Sequence, residues 1–268
     1  MINKIPKIKF TNKTSFFLIA GPCVVENKKM IFETCENIIN ITNELQIPFI
    51  FKSSYKKANR SQINSFQGIG NKKALEILLE VSRKFNVPIT TDIHSKEEAI
   101  LASKYVDILQ IPAFLCRQTD LLVAAAKTNK FINIKKGQFM SHESIGFAIN
   151  KVKKYNKKVM ITERGSCFGY NDLIVDFTGL EEMKKYKIPV ILDASHATQK
   201  TNQKTGITGG SPKFIKTLSK AGIAIGVNGI FIETHLNPKK ALSDSNSMLD
   251  IKKLKSLLKD LLKINQAV

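Results

Sequence analysis

With 268 residues, 42 of them Lys or Arg and 22 Asp or Glu, the chain carries a formal net charge of +20 at pH 7, and 43% of it is hydrophobic. That length suits one large α/β domain with a substantial core, while no apolar run nears the roughly 18 residues of a membrane span, so a soluble protein with no membrane partner is expected. The charge would suit a nucleic-acid binder, but it is nearly all lysine, with only Arg60, Arg83, Arg117 and Arg164 as arginines. No cluster interleaves basic with aromatic residues as a base-stacking platform does, and no nucleic-acid partner is expected.

Residues 1–13 read as an N-terminal extension, a cap or hairpin over the bottom of the fold. Phe16 to Ala20, the first apolar run, is too short and too soon broken by Gly21 and Pro22 to serve as the apolar segment of a secretory signal. Further runs follow at Phe49 to Phe51, Pro88 to Ile93, Val106 to Pro112, Phe131 to Ile134, Val159 to Ile161, Pro189 to Leu192 and Gly229 to Ile232. Between and after them, helical spacing covers Lys28 to Leu45, Asn71 to Phe85, Lys96 to Lys104, Gln118 to Thr128, Ile145 to Tyr155, Leu180 to Tyr186, Ser211 to Ala221 and Leu249 to Ile264. The last places its leucines on one stripe with lysines opposite, as an outer amphipathic helix does. Eight short runs alternating with eight helical segments predict a (β/α)8 barrel (TIM barrel), one domain over residues 1–268. A doubly wound open sheet competes, but the first turn, GPCVVEN, has no GxGxxG. Cys23, Cys35, Cys116 and Cys167 lack the spacing of a disulfide framework, which suits a cytoplasmic protein.

In a barrel the residues that end each strand meet at the C-terminal rim. Here those are Cys23, Lys52, Asp92 with His94, Gln110, Lys135, Glu163 with Arg164, Asp193 with His196, and Glu233 with His235. Cys23, His196 and Glu233, with Asp244 in the loop just after, offer a thiolate, an imidazole and two carboxylates, a ligand set for a divalent ion such as zinc, ferrous iron or manganese. Singly, such a Cys is more often filler and such an Asp more often a cap; Cys35, Cys116 and Cys167 read as structural thiols. Lys135 and Arg164 at neighbouring strand tops form an anion clamp. The loop after Phe51 brings Lys52, Lys56, Lys57, Asn59, Arg60 and Ser61 together, which suits a phosphorylated sugar. With Arg60 and Arg117 in addition to the clamp, two phosphate-sized sites and two anionic substrates are implied.

GPC at 21–23, FKSSYKKANRS from Phe51, TDIH from Thr91, LQIPAFLCRQTDL from Leu109, INIKKGQF from Ile132, ERGSCFGYNDL from Glu163, DASH from Asp193 and GIFIETH from Gly229 together resemble the 3-deoxy-D-manno-octulosonate-8-phosphate synthases (KDO 8-phosphate synthases). The resemblance runs in order from about Phe16 to Leu249. It implies a barrel enzyme, typically a homotetramer, that condenses phosphoenolpyruvate with arabinose 5-phosphate and releases inorganic phosphate for lipopolysaccharide biosynthesis. It further implies that Lys57, Lys135 and Arg164 hold phosphoenolpyruvate with Lys52 and Gln110 beside them. Asn59, Arg60 and Ser61 would hold arabinose 5-phosphate, Asp92 would contact its hydroxyls, and Arg117 would reach its phosphate from a neighbouring subunit. Lys57, Lys135, Asp92 and His196 become the candidate catalytic groups. The family has metal-independent members with asparagine at the position of Cys23, so this chain resembles the metal-dependent form, with Cys23, His196, Glu233 and Asp244 as ligands. One departure is Ser245, where the family usually has Gly after the aspartate.

Two other readings stand beside this one. The first is 3-deoxy-D-arabino-heptulosonate-7-phosphate synthase, which uses erythrose 4-phosphate and typically has KPRTSPYSF where this chain has KKANRSQ. The second is a basic RNA-binding protein without catalysis.

Overall fold

Short runs dense in Ile, Val, Leu and Phe become fully covered strands when helices lie outside and side chains fill the inside. In the computed structural model, which describes residues 1–60, 64–167, 172–200 and 209–268, these strands are β1 (Phe17–Gly21), β2 (Phe49–Lys52), β3 (Ile89–Asp92), β4 (Ile108–Ile111), β5 (Phe131–Lys135), β6 (Val159–Glu163), β7 (Val190–Asp193) and β8 (Gly229–His235). Every residue in them is buried. Each pairs in parallel with the next, and β8 returns to β1 in the register Phe17↔Gly229 to Gly21↔Glu233, closing the barrel. The helices α1 (Lys28–Glu44), α2 (Asn71–Phe85), α3 (Lys96–Ala102), α4 (Thr119–Lys127), α5 (Ile145–Lys153), α6 (Phe177–Met183), α7 (Ile215–Ala224) and α8 (Leu254–Ala267) complete the expected (β/α)8 architecture.

The barrel interior is filled near its N-terminal end by Phe17, Ile19, Ile50, Ile108, Phe131, Met160, Ile191 and Phe231. Ile5, 3% exposed, joins this layer from the N-terminal segment, and Ile2 and Ile8 pack against it. The upper interior is polar instead, so the apolar plug below fixes where a ligand can enter. Gly21 is required where β1 ends: a Cβ there would stand 2.0 Å from the carbonyl oxygen of Lys52. That close approach sets Cys23 beside the end of β2.

Three segments differ from the sequence reading. α6 begins at Phe177, ahead of Leu180, because Asp176 caps it by accepting from the Gly179 amide at 3.0 Å. The segment from Ser211 opens with a 3-10 turn, Pro212–Phe214, with proline at a first-turn position where its missing amide proton costs nothing, and α7 starts at Ile215. Leu249–Asp250 is a short strand parallel to Thr234 and His235, and α8 starts at Leu254. This added strand anchors the loop that carries Asp244. Among the described residues, no helix is long and apolar enough to cross a membrane.

Candidate active site

The strand tops enclose a cavity of about 670 Å³. Its lining includes the cations Lys52, Lys57, Arg60, Lys135 and Arg164, the carboxylates Asp92 and Asp244, and Asn59, Gln110 and His196. A more open groove of about 570 Å³ runs between α3 and α4, and none of the residues singled out from the sequence lines it. Arg117 is exposed ahead of α4, outside the cavity of this chain. Ser61 lies outside the described residues.

At the top of β7, the sequence Asp-Ala-Ser-His folds back on its own aspartate. Asp193 Oδ1 accepts from the amides of Ser195 (3.1 Å) and His196 (2.8 Å), and Oδ2 faces His196 Nδ1 at 2.7 Å. Lys135 Nζ donates to the same carboxylate. The Lys135 ammonium and the hydrogen bonds from His196 and Lys135 outweigh the burial that would raise its pKa and hold Asp193 well below the carboxylate range. A proton on Nδ1, facing the ionised Asp193, would leave Nε2 as the nitrogen able to act as a ligand. Nε2 stands 3.6 Å from Glu233 Oε1.

Donor atoms of Cys23, Glu233 and Asp244 all lie within 4.8 Å of one another; His196, expected as the fourth ligand, is not part of that group, although its Nε2 faces Glu233. Cys23 Sγ is 3.2 Å from Asp244 Oδ2 and 3.0 Å from Ser243 Oγ. Glu233 Oε1 accepts from Lys52 Nζ at 2.7 Å, while its buried Oε2 finds no donor among the described residues. Asp244 is approached by Lys57 at 3.9 Å and Arg60 at 3.6 Å. The protein's own cations thus sit where the charge of a divalent ion would act. Burial pushes the Cys23 thiol up, and Asp244 and Glu233 push it further, so a thiolate at this position calls for a cation beside it. An orphaned carboxylate oxygen, a thiol, a second carboxylate and an oriented imidazole fit a borderline-soft divalent metal.

The anion clamp is built beside this group. Lys135 Nζ lies 3.4 Å from the centroid of the Phe231 ring. Burial pulls its pKa down to about 8, with Asp193 opposing and Lys52 and Arg164 assisting. Burial likewise lowers Arg164, whose NH2 donates to Gln199 Oε1 at 2.5 Å. Lys57 is half-buried, and the surrounding Cys23, Glu233, Asp244 and Asp92 hold it above the ordinary lysine value. Glu163 organises the strand top under Arg164: its Oε1 accepts from the amides of Arg164 (3.0 Å) and Gly165 (2.6 Å), the latter at a φ of +87° that favours glycine.

A polar chain crosses the barrel below the mouth. Ser54 and Gln110 donate to Asp92, Asn133 Nδ2 donates to Gln110 Oε1 at 3.1 Å, and Thr162 donates to Asn133 Oδ1 at 2.7 Å. Asp92 is buried, but Lys52, Lys57 and His94 keep it ionised, below the usual carboxylate range. Sequence reasoning gave no role to Asp193, Ser243, Gln199 or His94, all of them at or against the cavity. Asp193 and His94 were visible as strand-end residues; Ser243 and Gln199 had no signal of their own.

A closed parallel barrel with five cations, two carboxylates and a metal-competent cluster at its C-terminal mouth defines an enzyme acting on small anionic substrates. The profile of the DAHP synthetase I family matches residues 2–268, and the chain belongs to that family. It is 48% identical over 256 residues to the 2-dehydro-3-deoxyphosphooctonate aldolase of Koribacter versatilis (strain Ellin345), covering 94% of this chain and 92% of that protein. Proteins of the same name are 46% identical in Rickettsia typhi (95% of this chain, 93% of that protein) and 44% identical in Fusobacterium nucleatum (100% and 99%). That name denotes the KDO 8-phosphate synthases, so the resemblance carried by the motifs holds.

Proposed function

We propose that the chain condenses phosphoenolpyruvate with D-arabinose 5-phosphate and water to give 3-deoxy-D-manno-octulosonate 8-phosphate and inorganic phosphate. The observation that carries this reading is the meeting of the Lys57, Lys135 and Arg164 clamp with Asn59, Arg60 and Asp92 in one cavity. Phosphoenolpyruvate, with a carboxylate and a phosphate, matches the buried Lys135 and Arg164 with the half-buried Lys57, and the sugar phosphate matches the arginine fork whose buried Nε finds no acceptor among the described residues. The loop KKANRSQ favours this acceptor over erythrose 4-phosphate.

In the reaction, C3 of the enol ether attacks the sugar aldehyde, water adds at C2, and the hemiketal phosphate collapses by C–O cleavage. Lys135 and Arg164 hold the carboxylate and phosphate of phosphoenolpyruvate, whose anionic oxygens offset the positive charge that develops at C2, and they stabilise the phosphate as it leaves, in a site where burial strengthens each interaction. Asp92, fixed by Ser54 and Gln110, orients sugar hydroxyls. Asp193 holds the His196 ring so that Nε2 faces Glu233. Cys23, His196, Glu233 and Asp244 would hold a divalent ion of the iron, zinc or manganese class, which when bound polarises the aldehyde or orients water. We further assign a cytoplasmic homotetramer in which Arg117 serves a neighbour's cavity, in keeping with its exposure outside its own.

Phosphate release with arabinose 5-phosphate against erythrose 4-phosphate, before and after chelation, tests the assignment. Turnover with erythrose 4-phosphate alone would reverse the acceptor; full activity after complete metal removal would remove the ion from the scheme.

A further inference from the structure

Glu98 stands on the first turn of α3, behind the cavity wall, with its side chain 13% exposed. Ser95-Lys96-Glu97-Glu98 has the form of a capping box, and Ser95 Oγ accepts from the Glu98 amide at 3.2 Å. In that motif the glutamate returns to the amide of the capping residue itself. Glu98 goes elsewhere: Oε2 accepts from the His94 amide at 2.8 Å and faces His94 Nδ1 at 2.9 Å, while Oε1 accepts from Lys56 Nζ. The buried Tyr55 hydroxyl, with no well-formed hydrogen bond among the described residues, lies near the same carboxylate.

These contacts tie two strand-to-helix loops together. Lys56 immediately precedes the stretch Lys57, Ala58, Asn59 and Arg60 that lines the cavity, and His94 lines it from the next loop. An ionised Glu98 can only accept at Nδ1, so the contact favours a ring proton on that side and turns Nε2 away from the carboxylate. The carboxylate is held well below its ordinary range because His94 and Lys56 outweigh the cost of its partial burial.

We propose that Glu98 is a positioning residue for the sugar acceptor: it latches the loop bearing Asn59 and Arg60 to the loop bearing His94 and fixes the orientation of that imidazole. This rests on the reading that the Asn59–Arg60 loop receives arabinose 5-phosphate. A helix-capping glutamate would make no difference to that loop, and glutamine serves a capping box as well as glutamate does.

The test is steady-state kinetics on the metal-loaded enzyme, with thermal midpoints, for Glu98→Gln and Lys56→Met singly and together. The latch predicts that each single change raises the KM for arabinose 5-phosphate about fivefold or more, with the KM for phosphoenolpyruvate within about twofold. The double variant should be no worse than the worse single, because both break one connection. An acceptor KM within about twofold of wild type in both singles overturns the proposal, as do additive effects or parallel changes in both KM values with a lowered midpoint. If Glu98→Gln does not fold, Lys56→Met, remote from the helix cap, decides by the same criteria. Wild-type enzyme inactive with arabinose 5-phosphate would sink the underlying reading and the latch with it; active wild type with unaltered variants sinks the latch alone.

Discussion

Deprotonating Lys135 should leave a visible limb in the pH profile. Its pKa is pulled down to about 8 from the ordinary 10.5, chiefly by burial, with Lys52 and Arg164 adding to the fall and Asp193 resisting it. Only the cation holds an anionic substrate, so kcat/KM for phosphoenolpyruvate should drop as pH rises through about 8. At about pH 9 roughly one lysine in ten remains charged, a tenfold loss, and each further unit removes about another factor of ten. The sign for stability is opposite: above about pH 8 the folded chain has released a proton that the unfolded chain keeps until near 10.5, so stability should rise across that window, by at most about 3 kcal/mol. The assay is phosphate release at saturating arabinose 5-phosphate from about pH 6.5 to 10, on wild type and Lys135→Arg, whose guanidinium stays charged throughout. A profile for wild type that is flat to about pH 9.5, or an unchanged limb in Lys135→Arg, would refute the reasoning.

Cys23→Asn should weaken zinc or manganese binding at least about tenfold in equilibrium dialysis, and undiminished affinity would remove the thiol from the ligand set. Arg60→Lys keeps the charge but loses the fork, and should raise the KM for arabinose 5-phosphate about tenfold while that for phosphoenolpyruvate stays nearly constant. Equal effects on both substrates would show that Arg60 does not belong to the acceptor. Lys136, 2% exposed, donates to the carbonyl of Met140 at 2.8 Å and lies 3.3 Å from Glu163 Oε2. Lys136→Met should therefore cost about 3 kcal/mol in denaturant unfolding by stranding a buried carboxylate, and adding Glu163→Gln should recover part of that; a silent Lys136→Met would show the pair to be dispensable.

The strands were legible because each is a short apolar run and almost every one ends in glycine, a charge or a polar cluster, and the rim residues followed from where those runs stop. Cys23, Glu233 and Asp244 come together with Ser245 following the aspartate, and Asp244 itself sits in the left-handed region at φ +47°. The sequence reading took Lys135 as the rim cation and gave its neighbour Lys136 no role. β5 ends at Lys135, which faces Asp193, whereas Lys136 turns to Met140 and Glu163 and serves the scaffold. Glu98 was hidden for a different reason: a glutamate four residues after a histidine reads as an ordinary first-turn charge, and its tie to Lys56, 42 positions away, exists only in three dimensions. Helix starts at Phe177 and Leu254 depended on a cap and on a two-residue strand that hydrophobic periodicity does not register.

The most direct measurement is a crystal structure with phosphoenolpyruvate bound. Its carboxylate and phosphate should lie among Lys57, Lys135 and Arg164 inside the barrel mouth, with Arg60 left open toward the acceptor side. Phosphoenolpyruvate bound outside that mouth, or these side chains turned to different faces of the molecule, would contradict the assignment.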